Sequence, residues 1–272
     1  MLWVSGDRIL ISQVENRTSI SDLKLKAKDQ LLGSYGIATA SFALLFALIY
    51  AVIMVITSSM TMQIANGTPM LDQNTVAGTI GMKVLSLVIG AFSAILTTGY
   101  MHIMTMIADG RKPVVSDLFH VFRNHPDKVI IISFILVGVQ LVLLIPANIA
   151  GFGGFGDTAA LPGSVGIDGR KFLLWVVLYL AGYIISYIID LYFVLSYLIY
   201  LDDPDENVMN IMKRSFEMMK GNCLRFFYML LTFVGYWMLV IMSLGIAALW
   251  VVPYQSMTVV QFYNDLKGSY EY

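Results

Sequence analysis

Long apolar stretches separated by short polar segments run through most of the chain. Those long enough to cross a bilayer as helices are 36–58, 81–108, 128–150 and 171–201. A final apolar region, 224–266, would extend about twice the thickness of the hydrocarbon core at a rise of roughly 1.5 Å per helical residue. The segment 243–245 near its middle suits a turn, which divides the region into spans 224–243 and 246–265. The pattern predicts an all-α fold, a polytopic transmembrane helical bundle of six spans.

Lysine and arginine are distributed unevenly among the connections between these spans. Three of the 17 lie on one side of the predicted spans, at Lys83, Arg170 and Lys171, and the other fourteen lie on the opposite side. Because basic residues are retained on the cytoplasmic side, both termini are expected in the cytoplasm of a multi-pass cell-membrane protein. A five-span chain with 251–272 outside remains an alternative, since that segment carries one lysine.

Short segments with helix-opening residues precede the first, third and fifth spans. Ser-Asp-Leu occurs at 21–23 and again at 116–118, and an acidic run at 203–206 precedes the segment 207–220. The last of these is amphipathic, with polar and apolar residues on opposite faces. We therefore expect interfacial amphipathic helices before spans 1, 3 and 5. The predicted organisation is a cytoplasmic segment 1–20, one transmembrane domain 21–266 and a cytoplasmic tail 267–272.

Composition restricts the partners and the chemistry. Hydrophobic residues make up 58% of the chain and charged residues 13%, so the expected partner for most of the surface is the lipid bilayer. The net charge of −1 argues against a nucleic-acid partner. A lone cysteine, Cys223, permits no internal disulfide, and no HExxH motif, nucleophile elbow or CxxC pair occurs. The sequence thus predicts no cofactor, no metal site and no enzyme.

Small residues recur at helical spacing within the first two spans. The rows are Ala43, Ala47 and Ala51 in the first span and Gly90 and Ala94 in the second. Such rows let helix backbones approach closely. We expect packing within the bundle, with a dimer interface as the alternative.

Asp190 is the most informative polar residue of the spans. The eleven apolar residues that follow it keep it at membrane depth, where a charged group is costly unless it faces protein or water. Tyr183 and Tyr187 fall on the same helical face. His102 and Gln140, in the second and third spans, are further candidates for binding a ligand. The functional interpretation is a site for a cation, proton or polar solute. The alternative is a protonated or hydrogen-bonded structural aspartate.

The last third of the chain carries a recognisable set of residues. It comprises Lys220-Gly221-Asn222, Phe227, Leu231, Phe233, Gly235, Gly245-Ile246, Leu249-Trp250, Pro253-Tyr254, Phe262-Tyr263 and Leu266. This set resembles the domain of unknown function 975 family of bacterial integral membrane proteins, as do Ala27, Leu32-Gly33 and Tyr35-Gly36. Tyr236 departs from it, at a position where Trp is common. The resemblance implies a bacterial membrane protein with six spans and assigns no activity.

Three functions compete at this point. The first is a transporter or permease-like protein that handles a small polar or amphipathic solute, or an ion, through an interior lined by Asp190. The second is a non-catalytic membrane protein with a protein partner, such as a bacteriocin-immunity or envelope-assembly factor. An intramembrane enzyme has the least support, because no nucleophile and base share a helical spacing.

Overall fold

The computed structural model describes residues 18–65, 76–155 and 169–270. All regular secondary structure within these ranges is helical, and the expectations for residues 1–17 and 271–272 lie outside them. In chain order the helices are α1 (Ile20–Leu31), α2 (Tyr35–Ala65), α3 (Val76–Ala108), a 3₁₀ turn (Val115–Phe119), α4 (His120–Arg123), α5 (Pro126–Phe155), α6 (Gly169–Phe193), α7 (Ser196–Asp202), α8 (Val208–Met219), α9 (Cys223–Leu231), α10 (Val234–Met242) and α11 (Ala248–Tyr270).

Within the described ranges, five segments are long and apolar enough to cross a membrane, which makes the chain a multi-pass helical membrane protein. They are Tyr35–Ser58, Val84–Ala108, Pro126–Ala150, Gly169–Asp202 and Cys223–Met242. These segments confirm the first five predicted spans to within a few residues. The sixth predicted span falls on α11, which is helical but is not among these five segments.

The helix α11 occupies the interior of the bundle. Every residue from Ser256 to Tyr263 is buried, and the helix packs against α1, α2, α3, α8 and α10. Three of these buried residues are polar, namely Ser256, Thr258 and Gln261. A helix enclosed by protein does not need the continuous apolar surface that lipid requires, because its polar groups can bond to neighbouring helices.

Two of the short helices begin at residues that cap them. The hydroxyl of Ser19 accepts a hydrogen bond of 3.1 Å from the backbone N–H of Asp22, and α1 begins at Ile20. The amide oxygen of Asn207 accepts one of 3.0 Å from Met209, and α8 follows. The sequence places the second cap slightly too early, within the acidic run 203–206. An αL residue, Gly221 at φ +83°, follows α8 and turns the chain into α9.

Glycines at helix crossings allow the closest packing. A Cβ at Gly99 of α3 would lie 1.9 Å from the backbone oxygen of Leu118, so only glycine admits the 3₁₀ turn there. At Gly182 of α6, a Cβ would lie 3.1 Å from a backbone oxygen of α5. The expectation for Ala43, Ala47 and Ala51 is wrong, because all three are exposed. Ala38, Ser41 and Leu45 form the buried face of α2 instead.

Two of the membrane-crossing segments are interrupted. The fourth breaks at 194–195, between α6 and α7, where the sequence predicts one continuous helix. The hydroxyl of Ser215 donates a 2.9 Å hydrogen bond to the backbone oxygen of Tyr192 beside this break. The fifth breaks at 232–233, between α9 and α10. The predicted turn at 243–245 is confirmed, with positive φ at Leu244 (52°) and Gly245 (93°).

Candidate functional site

A cavity of about 540 Å³ lies where α3, α5, α6–α7, α9 and α11 converge. Its polar lining residues are Ser93, Thr97, Thr98, Ser133, Tyr187, Asp190, Tyr197 and Gln255. The rest of the wall is apolar and is formed by Gly90, Ala94, Met101, Leu136, Val137, Leu191, Val194, Leu198, Phe226, Leu230 and Val259. An apolar cavity of this size with a few polar groups is typical of small-molecule sites.

Among the lining residues that the structure describes, Asp190 contributes the only carboxylate, and none is a lysine, arginine or histidine. Within the described chain, the Asp190 carboxylate forms no hydrogen bond and no ion pair. The residue is exposed on α6 rather than packed in the core. The break at 194–195 lies one helical turn further along, and Val194 lines the same cavity. The structure therefore places a free acidic group in a largely apolar chamber.

The structure brings only some of the predicted ligand residues to the cavity. Asp190 and Tyr187 line it, whereas Tyr183 is 42% exposed, packs against the ring of Tyr179 and lies outside the lining. His102 also lies outside, with its ring stacked on His120 at 4.0 Å between centroids. Gln140, on α5, is half-buried and likewise does not line the cavity.

Several lining residues are missing from the sequence-based prediction. Ser93 and Thr97 lie one turn apart on α3, and Ser133 joins them from α5. Their spacing marks one face of an otherwise apolar helix, and this is the pattern that could have revealed them. Gln255 reaches the cavity from α11, and its side-chain oxygen accepts a 2.9 Å hydrogen bond from the indole of Trp237.

A second cluster surrounds the ammonium group of Lys24, on α1. Its Nζ lies 4.6 Å from the ring centroid of Phe233, 5.2 Å from that of Tyr236 and 6.0 Å from that of Tyr254. The ammonium also donates a 3.2 Å hydrogen bond to the hydroxyl of Thr232. Partial burial lowers the pKa of Lys24 below its usual range. This aromatic cage fastens α1 to the break between α9 and α10.

The residues of the C-terminal motif have structural positions in this fold. Gly245 provides the positive φ of the turn before α11, and Pro253 is buried within that helix. The hydroxyl of Tyr263 donates a 2.5 Å hydrogen bond to the carboxylate of Asp202, and Tyr254 belongs to the cage around Lys24. Gly235 has open space at its Cβ position.

A family model matches residues 17–269, which is nearly the whole chain. The chain belongs to the family described as protein of unknown function (DUF975). The resemblance seen in the motif residues is thus confirmed. No curated protein and no solved structure matches this DUF975 protein. Its family description names no activity, so the function of the DUF975 chain has to be argued from the geometry of the cavity.

Proposed function

We propose that this protein binds a small amphipathic solute in the cavity and moves it through the membrane. The observation that carries the proposal is the Asp190 carboxylate, which lines a chamber between six helices and has no hydrogen bond or ion pair within the described residues. A structural aspartate at membrane depth would be expected to hold a partner, because an unpaired one costs about 2.5–3.5 kcal/mol on insertion scales. A group kept available at such a cost is typical of a ligand site.

The composition of the cavity wall favours an amphipathic solute over a purely polar one. Hydroxyl and amide groups from Ser93, Thr97, Ser133 and Gln255 can orient a polar end. The remaining wall, mainly leucine, valine and methionine contributed by every helix that lines the cavity, provides contact for an apolar body. A cavity volume of about 540 Å³ accommodates a solute of drug-like size.

The interrupted helices support movement of the solute in addition to binding. The α6–α7 break follows Asp190 by one turn, and the α9–α10 break follows Leu230, another lining residue. Discontinuous helices that line a binding site are a recurrent feature of transporters. Breaks of this kind let the two halves of a helix tilt separately, which would open the cavity to alternate sides.

The same proposal includes a topology of six spans with both termini in the cytoplasm. In this topology α11 is the sixth span, and its polar residues are tolerated because other helices surround it. The helices α1 and α8 would then lie at the cytoplasmic surface of the cell membrane. Each buries one apolar face against the bundle and leaves lysines such as Lys26 and Lys213 exposed.

Flux through reconstituted vesicles tests the proposal. The probes are three fluorophores that differ in charge, namely ethidium, anilinonaphthalene sulfonate and dansyl-lysine. We expect at least one of them to cross vesicles that hold the wild-type protein faster than empty vesicles. Gly90→Phe is designed to fill the cavity, because Gly90 lines it and a Cβ there meets no heavy atom within 4 Å. This variant is expected to reduce the protein-dependent flux at least tenfold.

Gly235→Phe provides the matched control. The glycine also has no heavy atom within 4 Å of its Cβ position, but it is exposed on α10 away from the cavity. Flux should therefore be the same in this variant as in the wild type. If all three probes cross empty and protein-containing vesicles equally, or if Gly90→Phe leaves the flux unchanged, the cavity is not a transport route.

A further inference from the structure

We infer that the solute of this cavity is an amphipathic organic cation carrying a single positive charge. The inference rests on the proposed function, since it concerns the same cavity, and it adds the charge and chemical class of the ligand. Its basis is the charge of the wall together with the aromatic rings that flank Asp190.

The charge of the lining favours one positive charge on the ligand. Of the side chains that line the cavity within the described chain, Asp190 is the sole carboxylate, and none is basic. In a low-dielectric chamber a carboxylate attracts a cation strongly and repels an anion equally strongly. A zwitterion would leave its own carboxylate beside Asp190 with no basic group to receive it. A monocation neutralises the Asp190 carboxylate, so that the occupied site has no net charge.

The chemistry of the wall favours an organic cation over a metal ion. A divalent ion such as Ca²⁺ takes six to eight oxygen ligands, several of them carboxylates. The cavity offers one carboxylate within the described residues, and much of its lining, including Leu136, Val137 and Val194, has no side-chain oxygen to offer a metal ion. Those residues suit an alkyl or aryl body instead.

Aromatic side chains lie where the charged end of such a ligand would rest. Tyr187 and Tyr197 line the cavity on either side of Asp190 along α6–α7, and Phe226 faces the chamber from α9. Aromatic faces attract ammonium and phosphonium groups, and the attraction is largest where water is excluded. A carboxylate combined with aromatic rings is therefore a recognition pattern for amines and quaternary ammonium groups.

The cavity is also open at the surface of the bundle. Tyr187 is 47% exposed, and its neighbours Ile184 and Ile188 are apolar and exposed. Because this part of α6 lies within the membrane-crossing segment, the opening faces acyl chains. A hydrophobic cation that has partitioned into the bilayer can thus reach Asp190 from the side.

Equilibrium binding of two hydrophobic ions of nearly the same shape and opposite charge tests the inference. Full-length protein in lipid nanodiscs is titrated with radiolabelled tetraphenylphosphonium and, separately, with tetraphenylborate, and binding to empty nanodiscs is subtracted. The variants are Asp190→Asn, Asp190→Glu, which keeps the charge, and Asp203→Asn, which removes an exposed carboxylate outside the cavity. Size-exclusion profiles establish that each variant is folded.

We expect saturable binding of tetraphenylphosphonium to the wild type and none of tetraphenylborate. Asp190→Asn should weaken the binding at least tenfold, whereas Asp190→Glu and Asp203→Asn should stay within threefold of the wild type. The inference is overturned if tetraphenylphosphonium does not bind, if both ions bind alike, or if Asp190→Asn binds as tightly as the wild type. In each of these cases the flux assay with Gly90→Phe decides separately whether the cavity carries another solute, so that the two proposals fail independently.

Discussion

The guanidinium of Arg225 and the carboxylate of Asp265 form a buried ion pair of 2.7 Å, and Thr18 hydrogen-bonds to both groups. The two side chains are only 15% and 11% exposed. Arg225 also lies over the ring of Phe262, with its central carbon 5.1 Å from the ring centroid. The contact joins the start of α9 to α11 and to the residues that precede α1.

Removing one partner of this pair should destabilise the protein severely. Arg225→Ala leaves the largely buried Asp265 carboxylate without its counter-ion, although Thr18 still donates to it, and the cost approaches the roughly 3–5 kcal/mol typical of a broken buried pair. We expect a large fall in the midpoint of thermal unfolding, measured in detergent by the loss of helical circular dichroism. Arg111→Ala is the matched control, because the Arg111–Asp109 pair is more than half exposed and should contribute less than about 1 kcal/mol. Equal effects of the two substitutions would contradict a structural role for the buried pair.

Glycine at position 99 is required for the packing of the 3₁₀ turn on α3. Gly99→Ala places a Cβ 1.9 Å from the backbone oxygen of Leu118, so the backbone must move, at a cost on the order of 1–3 kcal/mol. The fraction of protein that elutes as a folded monodisperse species should fall. Gly90→Ala, on the same helix with open space at its Cβ, should leave that fraction unchanged or raise it. A fully folded Gly99→Ala variant would show that the two elements do not approach this closely.

Lys24 should make the stability depend on alkaline pH. Burial lowers the pKa of Lys24 in the folded state below its ordinary value of 10.5, so the unfolded chain binds more protons in the interval between the two values. Stability therefore rises with pH across that interval. As the pH is raised through this interval, the unfolding midpoint of the wild type should rise relative to that of Lys24→Met. Lys26→Met, on the exposed face of the same helix, serves as the control and should show no comparable trend.

Cysteine labelling distinguishes six spans from five. In a Cys223→Ser background, Ser269→Cys and Lys112→Cys each place a single thiol, the first in the last turn of α11 and the second in the loop between α3 and the 3₁₀ turn. With six spans both thiols lie in the cytoplasm, so an impermeant maleimide labels neither in intact cells and both in inverted vesicles. Labelling of the residue 269 thiol in intact cells, with the residue 112 thiol protected, would mean that α11 does not cross the membrane.

The spans were predictable because lipid imposes a local rule. A crossing helix must be apolar over its whole length, and this can be seen in the sequence without knowledge of its neighbours. The five segments from Tyr35 to Met242 and the turn at Leu244-Gly245 follow from that rule. The burial of α11 does not follow from that rule, because tertiary packing determines which helix occupies the centre of a bundle. Ser256, Thr258 and Gln261 make α11 more polar than a helix that faces lipid, but these residues are buried against protein, where polar groups are tolerated.

The site was predictable only along one helix. Helical periodicity places Tyr183, Tyr187 and Asp190 on one face, and of these Tyr187 and Asp190 line the cavity whereas Tyr183 does not. Periodicity does not establish how neighbouring helices are rotated about their axes. For this reason the prediction included His102 and Gln140, which lie outside the cavity, and missed Ser93, Ser133 and Gln255, which line it. The wrong expectation for Ala43 has the same cause. The spacing identifies a row of small residues, but it does not identify the surface that the row faces.

The burial of α11 also has a consequence for biogenesis. The helices that it holds together, α1, α2 and α3 among them, leave the ribosome long before it does. Until residues 256–263 arrive, α1, α2 and α3 lack one of the surfaces on which they pack, and Arg225 has no Asp265 to neutralise it. The inserted but incomplete chain therefore has fewer stabilising contacts than the finished bundle, and the packing of its N-terminal helices is completed last.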